Sequence, residues 1–165
     1  MLHHSKAITT LMLASALSSP AFAMEGHSVH DHSTHNHAMM MSTVGKPSDA
    51  SKATKTIKVD LLDSMKFEFH SKVAIKEGDI VRFIVTNKGV IDHEFSIGSE
   101  KEQKAHLEMM KQMPNMVHSD GSTITVKPNE TKELTWKFTK RDTVMFACNI
   151  PEHFEAGMHH TIVIK

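Results

Sequence analysis

"IVRFIVTNKGVIDHEFSIG", residues 80–98, reads as two strands joined by a turn. The first is rich in β-branched residues, and Val81, Phe83 and Val85 fall on one face. Lys88 and Gly89 supply the turn, and Phe95 and Ile97 then alternate in the second strand. Outward from this pair the same pattern recurs. Upstream lie "TIKVD" (56–60), "MKFEFH" (65–70) and "KVAIKEGD" (72–79), the last running into a Gly78-Asp79 turn. Downstream lie "STITVKP" (122–128), "ELTWKFT" (133–139), "TVMFAC" (143–148) and "HTIVIK" (160–165). Short strands punctuated by Gly, Asn and Pro predict an all-β sandwich or barrel over residues 56–165, long enough to bury a two-sheet core.

One stretch breaks the β pattern. "SEKEQKAHLEMMKQMP" (99–114) has helical composition, a Ser99/Glu102 capping-box signal and Pro114 as its stop. It predicts one helix inserted between strands, with Met109, Met110 and Met113 sharing a face.

The chain ahead of residue 56 has a different character. Lys6 opens a short basic start, "AITTLMLASAL" is too short to span a bilayer, and "SSPAFA" ends in a small-x-small pattern. Residues 1–23 therefore read as a secretory signal peptide cut after Ala23, which predicts export, most simply to a bacterial periplasm. No later segment is apolar enough to insert in a membrane as a helix. Residues 24–55 have almost no large apolar side chains and read as a disordered tail. That tail carries His27, His30, His32, His35 and His37, followed by Met39, Met40 and Met41. Five histidines in eleven residues favour loose metal binding over a plain solubilising linker.

Composition points the same way. The chain holds 14 His and 13 Met, with one Trp and no Tyr. Charge balances at 19 basic and 19 acidic residues, which gives a nucleic-acid partner no basic face. The single cysteine, Cys148, cannot form an internal disulfide, so in an oxidising compartment either burial or metal ligation must protect it.

"CNIPEHFEAGMHH" (148–160) decides between these for function. Cys148 ends one strand and "HTIVIK" starts the next, so Cys148, His153 and Met158 share one loop. A thiolate, an imidazole and a thioether suit copper, and a second imidazole would complete a His₂Cys site with a weak axial Met. His93 is the best placed candidate, at the start of "HEFSIG"; His70 closes a less suitable strand, and His118 lies in the Met-rich stretch.

These residues resemble the cupredoxins, the small blue-copper β-sandwich proteins. The resemblance covers residues 56–165 and rests on "VRFIVTNKGVIDHEF" followed by "FACNIPEHFEAGM". It implies a Greek-key sandwich, with His93, Cys148 and His153 as equatorial copper ligands and Met158 as the axial one. The spacing Cys-x4-His-x4-Met is similar to that of rusticyanin, and Ala156, Gly157 and Met158 are similar to the small residues that plastocyanins place before the axial Met. The His/Met-rich tail and the "HEF" motif look most like the periplasmic copper-tolerance cupredoxins. Two residues depart from the family. Glu94 stands where plastocyanins and azurins usually carry Asn, and Glu152 where azurins have Gly; each either adds charge near the metal or faces water.

The remaining candidates have two readings each. Phe95 and Phe154 serve as core or rim residues that keep water off the copper. His159 and His160 either face solvent or take part in a second metal site. "HLEMMKQMPNMVHSD" (106–120) is either an adaptable cover for a sheet edge or an accessory copper(I) site of Met110, Met113, Met116 and His118. The surplus of ligands favours a protein that protects against excess copper, with copper ions as partner and periplasmic redox proteins or copper-export components as further ones. The alternative is an electron carrier between periplasmic redox enzymes. An enzyme such as a copper oxidase or nitrite reductase usually has His beside the Cys; here Ala147 and Asn149 flank it. One domain with one well-formed site argues against substrate turnover, with weak oxidation of cuprous ion left open.

Overall fold

The computed structural model describes residues 42–165. The expected signal peptide (1–23), most of the expected tail, and His27, His30, His32, His35, His37, Met39, Met40 and Met41 lie outside the described residues.

Among the described residues, nine strands and one α-helix follow one another: β1 (Gly45–Pro47), β2 (Lys55–Leu62), β3 (Lys66–Phe69), β4 (Ile80–Asn87), β5 (His93–Gly98), α1 (Glu100–Gln112), β6 (Thr123–Val126), β7 (Thr131–Phe138), β8 (Thr143–Ala147) and β9 (His159–Val163). They form two sheets, ordered β1-β7-β4-β2-β3 and β6-β5-β8-β9. The β2–β4 pair is parallel and every other pair is antiparallel. This is the all-β sandwich with one inserted helix that the periodicity predicts.

Alternation builds the core. Ile57, Val59 and Leu61 of β2 and Val81, Phe83 and Val85 of β4 face inward from one sheet. Phe95, Ile97, Ile124, Val126, Val144 and Phe146 face them from the other. Phe83 lies at the centre, its ring 5.2 Å from that of Phe95 and 5.4 Å from that of Phe146.

Two segments differ from expectation. Residues 72–79 form no strand; Ile75 is buried, but the backbone there meets the chain end through only two bonds, Glu77 N–H to Lys165 O and Lys165 N–H to Ile75 O. Ordered structure also begins ahead of residue 56. β1 pairs with β7 from Gly45 to Pro47, and Val44 is fully buried in the core, which ties residues assigned to the tail onto the sandwich. Gly45 is required there, because a Cβ would lie 2.2 Å from Lys137 O and 2.3 Å from Trp136 Nε1.

α1 begins where the sequence places it. Ser99 accepts from Glu102 N–H, and the Glu102 carboxylate accepts from Ser99 N–H. The same carboxylate accepts from Ser42 Oγ and Thr43 N–H, so the helix start also holds the segment leading into β1. Gln103, Leu107 and Met110 form the buried row of α1. Because α1 covers it, β5 is buried at all six positions, on both its faces. Among the described residues, no helix is long and apolar enough to cross a membrane.

Candidate metal centre

Three elements bring the predicted ligands together at one end of the sandwich. His93 opens β5, Cys148 directly follows β8, and His153 lies on the loop that returns to β9. The loop closes on itself through the backbone: His153 N–H donates to Ile150 O, and Met158 N–H to His153 O. Cys148 N–H donates to Met158 O at 3.0 Å, which fixes Met158 beside both Cys148 and His153. Gly157 takes φ +98 just before Met158, a left-handed turn that glycine adopts without penalty.

One ligand atom each from His93, Cys148 and His153 lie within 4.8 Å of one another. Cys148 Sγ is 3.3 Å from His153 Nδ1, and the two imidazole rings lie 5.0 Å apart. Met158 is fully buried in the core cluster next to Cys148. Burial pushes the Cys148 thiol up to about 12 and holds the His153 imidazole below its ordinary range. A buried neutral thiol is what a metal converts to thiolate by displacing its proton.

The donor set fits copper. His93 Nδ1 is buried and has no hydrogen-bond partner among the described residues, while His93 Nε2 is held 2.9 Å from Asp63 Oδ1. One ring nitrogen is anchored and the other left open, the arrangement of a metal-ligating histidine. Copper in such a site would supply a one-electron couple, with thiolate and imidazole serving both oxidation states.

Asp63 belongs to this site and the sequence reading missed it. It sits in the turn between β2 and β3, accepts from Val90 N–H at 2.8 Å and faces His93. These bonds, the Val90 N–H first and His93 next, hold its carboxyl below the usual range. Gly89 permits the approach, since a Cβ there would fall 1.7 Å from Asp63 Oδ1. An aspartate in a turn carries no sequence signal of this role, because turns recruit Asp for local reasons. Asn87 steadies the same loop, its amide donating to Ile91 O and Val126 O and its carbonyl accepting from Gly89 N–H.

Both departures from the family pattern find a place. Glu152 is exposed with φ +75 and faces water. Glu94 does not: its N–H donates to Cys148 Sγ at 3.2 Å, and its side chain is fully buried behind the His93–Cys148–His153 set. There it lies 3.8 Å from both His106 Nε2 and His118 Nε2. Burial raises the Glu94 carboxyl to about 7 against the opposing pull of His118. It also lowers His106 to about 4, whereas the Asp120 carboxylate raises His118.

The other candidates are placed as follows. Met110 is buried on the inner row of α1, Met113 is 41% exposed, Met116 is half-buried, and His118 turns toward Glu94 and His106. His70 pairs with Asp60 at 3.0 Å, away from the ligands. His160 packs on Phe69 and His159 on Phe154, each pair with ring centroids 4.9 Å apart. Phe95 is core, and Phe154 is half-buried at the rim.

Comparison with known proteins agrees with this geometry. Residues 53–165 match the model of the family "Copper binding proteins, plastocyanin/azurin family". The chain is 55% identical over 122 residues to the copper-resistant cuproprotein CopI of Vibrio cholerae, covering 74% of this chain and 72% of that one. It is 37% identical over 156 residues to CopI of Rubrivivax gelatinosus, covering 94% of each. Among solved structures, auracyanin B superposes with a TM-score of 0.59 at 15% identity, covering 76% of this chain and 99% of that one. The reduced auracyanin of Roseiflexus castenholzii gives 0.57 at 16%, covering 68% and 98%. A paired-sheet sandwich, a converging His-Cys-His set and these relatives lead to one assignment: the chain belongs to the plastocyanin/azurin family of copper-binding proteins.

Proposed function

We propose that this protein is a periplasmic cupredoxin that protects the cell against excess copper. It holds one copper ion through His93, Cys148 and His153, with Met158 as a weak axial ligand. The observation that carries this reading is the convergence of the three donors, with His93 Nδ1 left open between them. The relatives named for copper resistance support tolerance over a pure carrier role. So does the surplus of ligands, since an electron carrier needs one copper and no His/Met tail. The tail residues His27, His30, His32, His35, His37, Met39, Met40 and Met41 gather further copper. Export through residues 1–23 places this chemistry where external copper arrives.

Two measurements test the reading. Copper(II) titration of the purified protein gives an intense thiolate-to-copper band that saturates at one equivalent and disappears in Cys148→Ser. No such band in the wild type rejects the site. Deleting the gene sensitises cells to copper. A deletion strain with unchanged copper tolerance and a lost respiratory activity replaces the tolerance role with electron transfer between periplasmic redox proteins.

A further inference from the structure

Glu94 is an unusual residue to find sealed between a β-strand and the helix that covers it. Its side chain is fully buried, and its Oε2 makes no hydrogen bond among the described residues. A carboxylate is desolvated in this way at a heavy penalty unless a cation meets it. What meets it here is a pair of imidazoles. His106 on α1 and His118 after the helix point their Nε2 atoms at the carboxylate, each at 3.8 Å from one of its oxygens.

The two Nε2 atoms are themselves 3.2 Å apart. Two nitrogens bound to one tetrahedral ion at about 2.0 Å are separated by about 3.3 Å. The two rings share a hydrogen bond at that distance, and an ion that displaces its proton finds both nitrogens at the spacing it requires. Each ring is also held from behind. His106 Nδ1 lies 3.1 Å from the Asn149 amide, which is itself bonded to buried Gln103, and His118 Nδ1 lies 3.3 Å from Asp120 Oδ2. The Asp120 carboxylate accepts from His118 Nδ1 and leaves its Nε2 free for an ion, as outer partners of metal-binding histidines do, while the Asn149 amide positions the His106 ring.

We propose that Glu94, His106 and His118 form a second metal site, specific for a borderline divalent ion and filled by copper(II). Two imidazoles and a carboxylate, with no sulfur among them, select copper(II) or zinc(II) over copper(I). The site is distinct from the His93–Cys148–His153 centre but backs directly onto it. His93 and Glu94 are neighbours on β5, and Glu94 N–H donates to Cys148 Sγ. This goes beyond the tolerance reading, and its occupancy is measured on purified protein whatever the deletion strain does.

The test uses the full chain with His27, His30, His32, His35 and His37 replaced by serine to silence the tail. Equilibrium dialysis against copper(II), followed by metal analysis, is expected to retain two equivalents. One gives the thiolate band; the other gives a paramagnetic resonance signal with the wide hyperfine splitting of a thiolate-free site. Adding His106→Ala or His118→Ala leaves the band in place and reduces retention to one. Glu94→Gln weakens the second equivalent more than tenfold. Zinc(II) added to protein carrying one copper is retained without loss of the band, and Met113→Leu changes nothing. The thiolate band and circular dichroism establish folding in each variant, and His106→Gln replaces His106→Ala if that variant does not fold. A single retained equivalent in the tail-silenced chain overturns the proposal. So does a second equivalent that survives both histidine substitutions, or one taken up only as copper(I) under reductant.

Discussion

Asp63 anchors the imidazole of His93 through a carboxylate. An anionic partner makes the ring a stronger donor and favours copper(II) over copper(I). Asp63→Asn keeps an oxygen for Val90 N–H and removes the charge. It is expected to raise the reduction potential, by about 60 mV for each tenfold change in relative affinity, read by redox titration of the thiolate band. Three of the four ligand candidates were legible because a thiol, an imidazole and a thioether spaced along one short loop form a donor set that packing alone does not call for; His93 was read from its place at the start of a strand after a turn. Asp63 was not, because it reaches His93 from a turn thirty residues upstream. Glu94 was visible only as a departure from pattern, and nothing in the sequence could show that it is buried. His118 was singled out for the Met residues around it, whereas its neighbours in the fold are His106 and Glu94. Contacts between a helix and the outer face of a strand are set by packing, which spacing does not record.

At the scale of elements, Glu102 does two things, capping α1 and holding Ser42 and Thr43 ahead of β1. Ser99→Ala removes the cap alone and is expected to cost about 1 kcal/mol in chemical denaturation. Glu102→Ala removes the reciprocal bond to Ser99 N–H and the strap together and is expected to cost about 2–3 kcal/mol. The Glu102→Gln loss depends on pH. Burial pushes the Glu102 carboxyl up, but bonds from Thr43 N–H, Ser99 N–H and the Ser42 and Thr43 hydroxyls outweigh it and hold it below 4.5. A depressed carboxyl contributes stability above its unfolded value and loses it as pH falls through its folded one. The difference between wild type and Glu102→Gln is therefore full at pH 7 and shrinks below pH 4.5; a difference that stays constant to pH 3 contradicts this role. The helix and most strands were legible from period and caps. Residues 72–79 were not, since a strand pattern without a neighbour to pair with makes no ladder. β1 was missed because three residues in a polar stretch carry no period, and only Val44 anchors them.

For the whole molecule, core and metal end are mechanically joined. Phe95 and Phe146 stand two residues from His93 and Cys148, and both pack on Phe83. Phe83→Ala is expected to cost about 3–5 kcal/mol and lower the melting temperature while the thiolate band forms in the cold. Copper bound only by the folded state adds about 4 kcal/mol at a thousandfold excess over Kd. Calorimetry should show that gain in wild type and a smaller one in Cys148→Ser, where only the Glu94–His106–His118 site remains.

Strand β5 is buried on both faces, and its first two residues point to opposite sides. It is a partition between two chambers, with an imidazole on one side and a carboxylate on the other. A slip of one residue would exchange them, leaving a carboxylate before the thiol and an imidazole beneath the helix. The strand's register cannot drift, because both chambers would lose their donors in a single step.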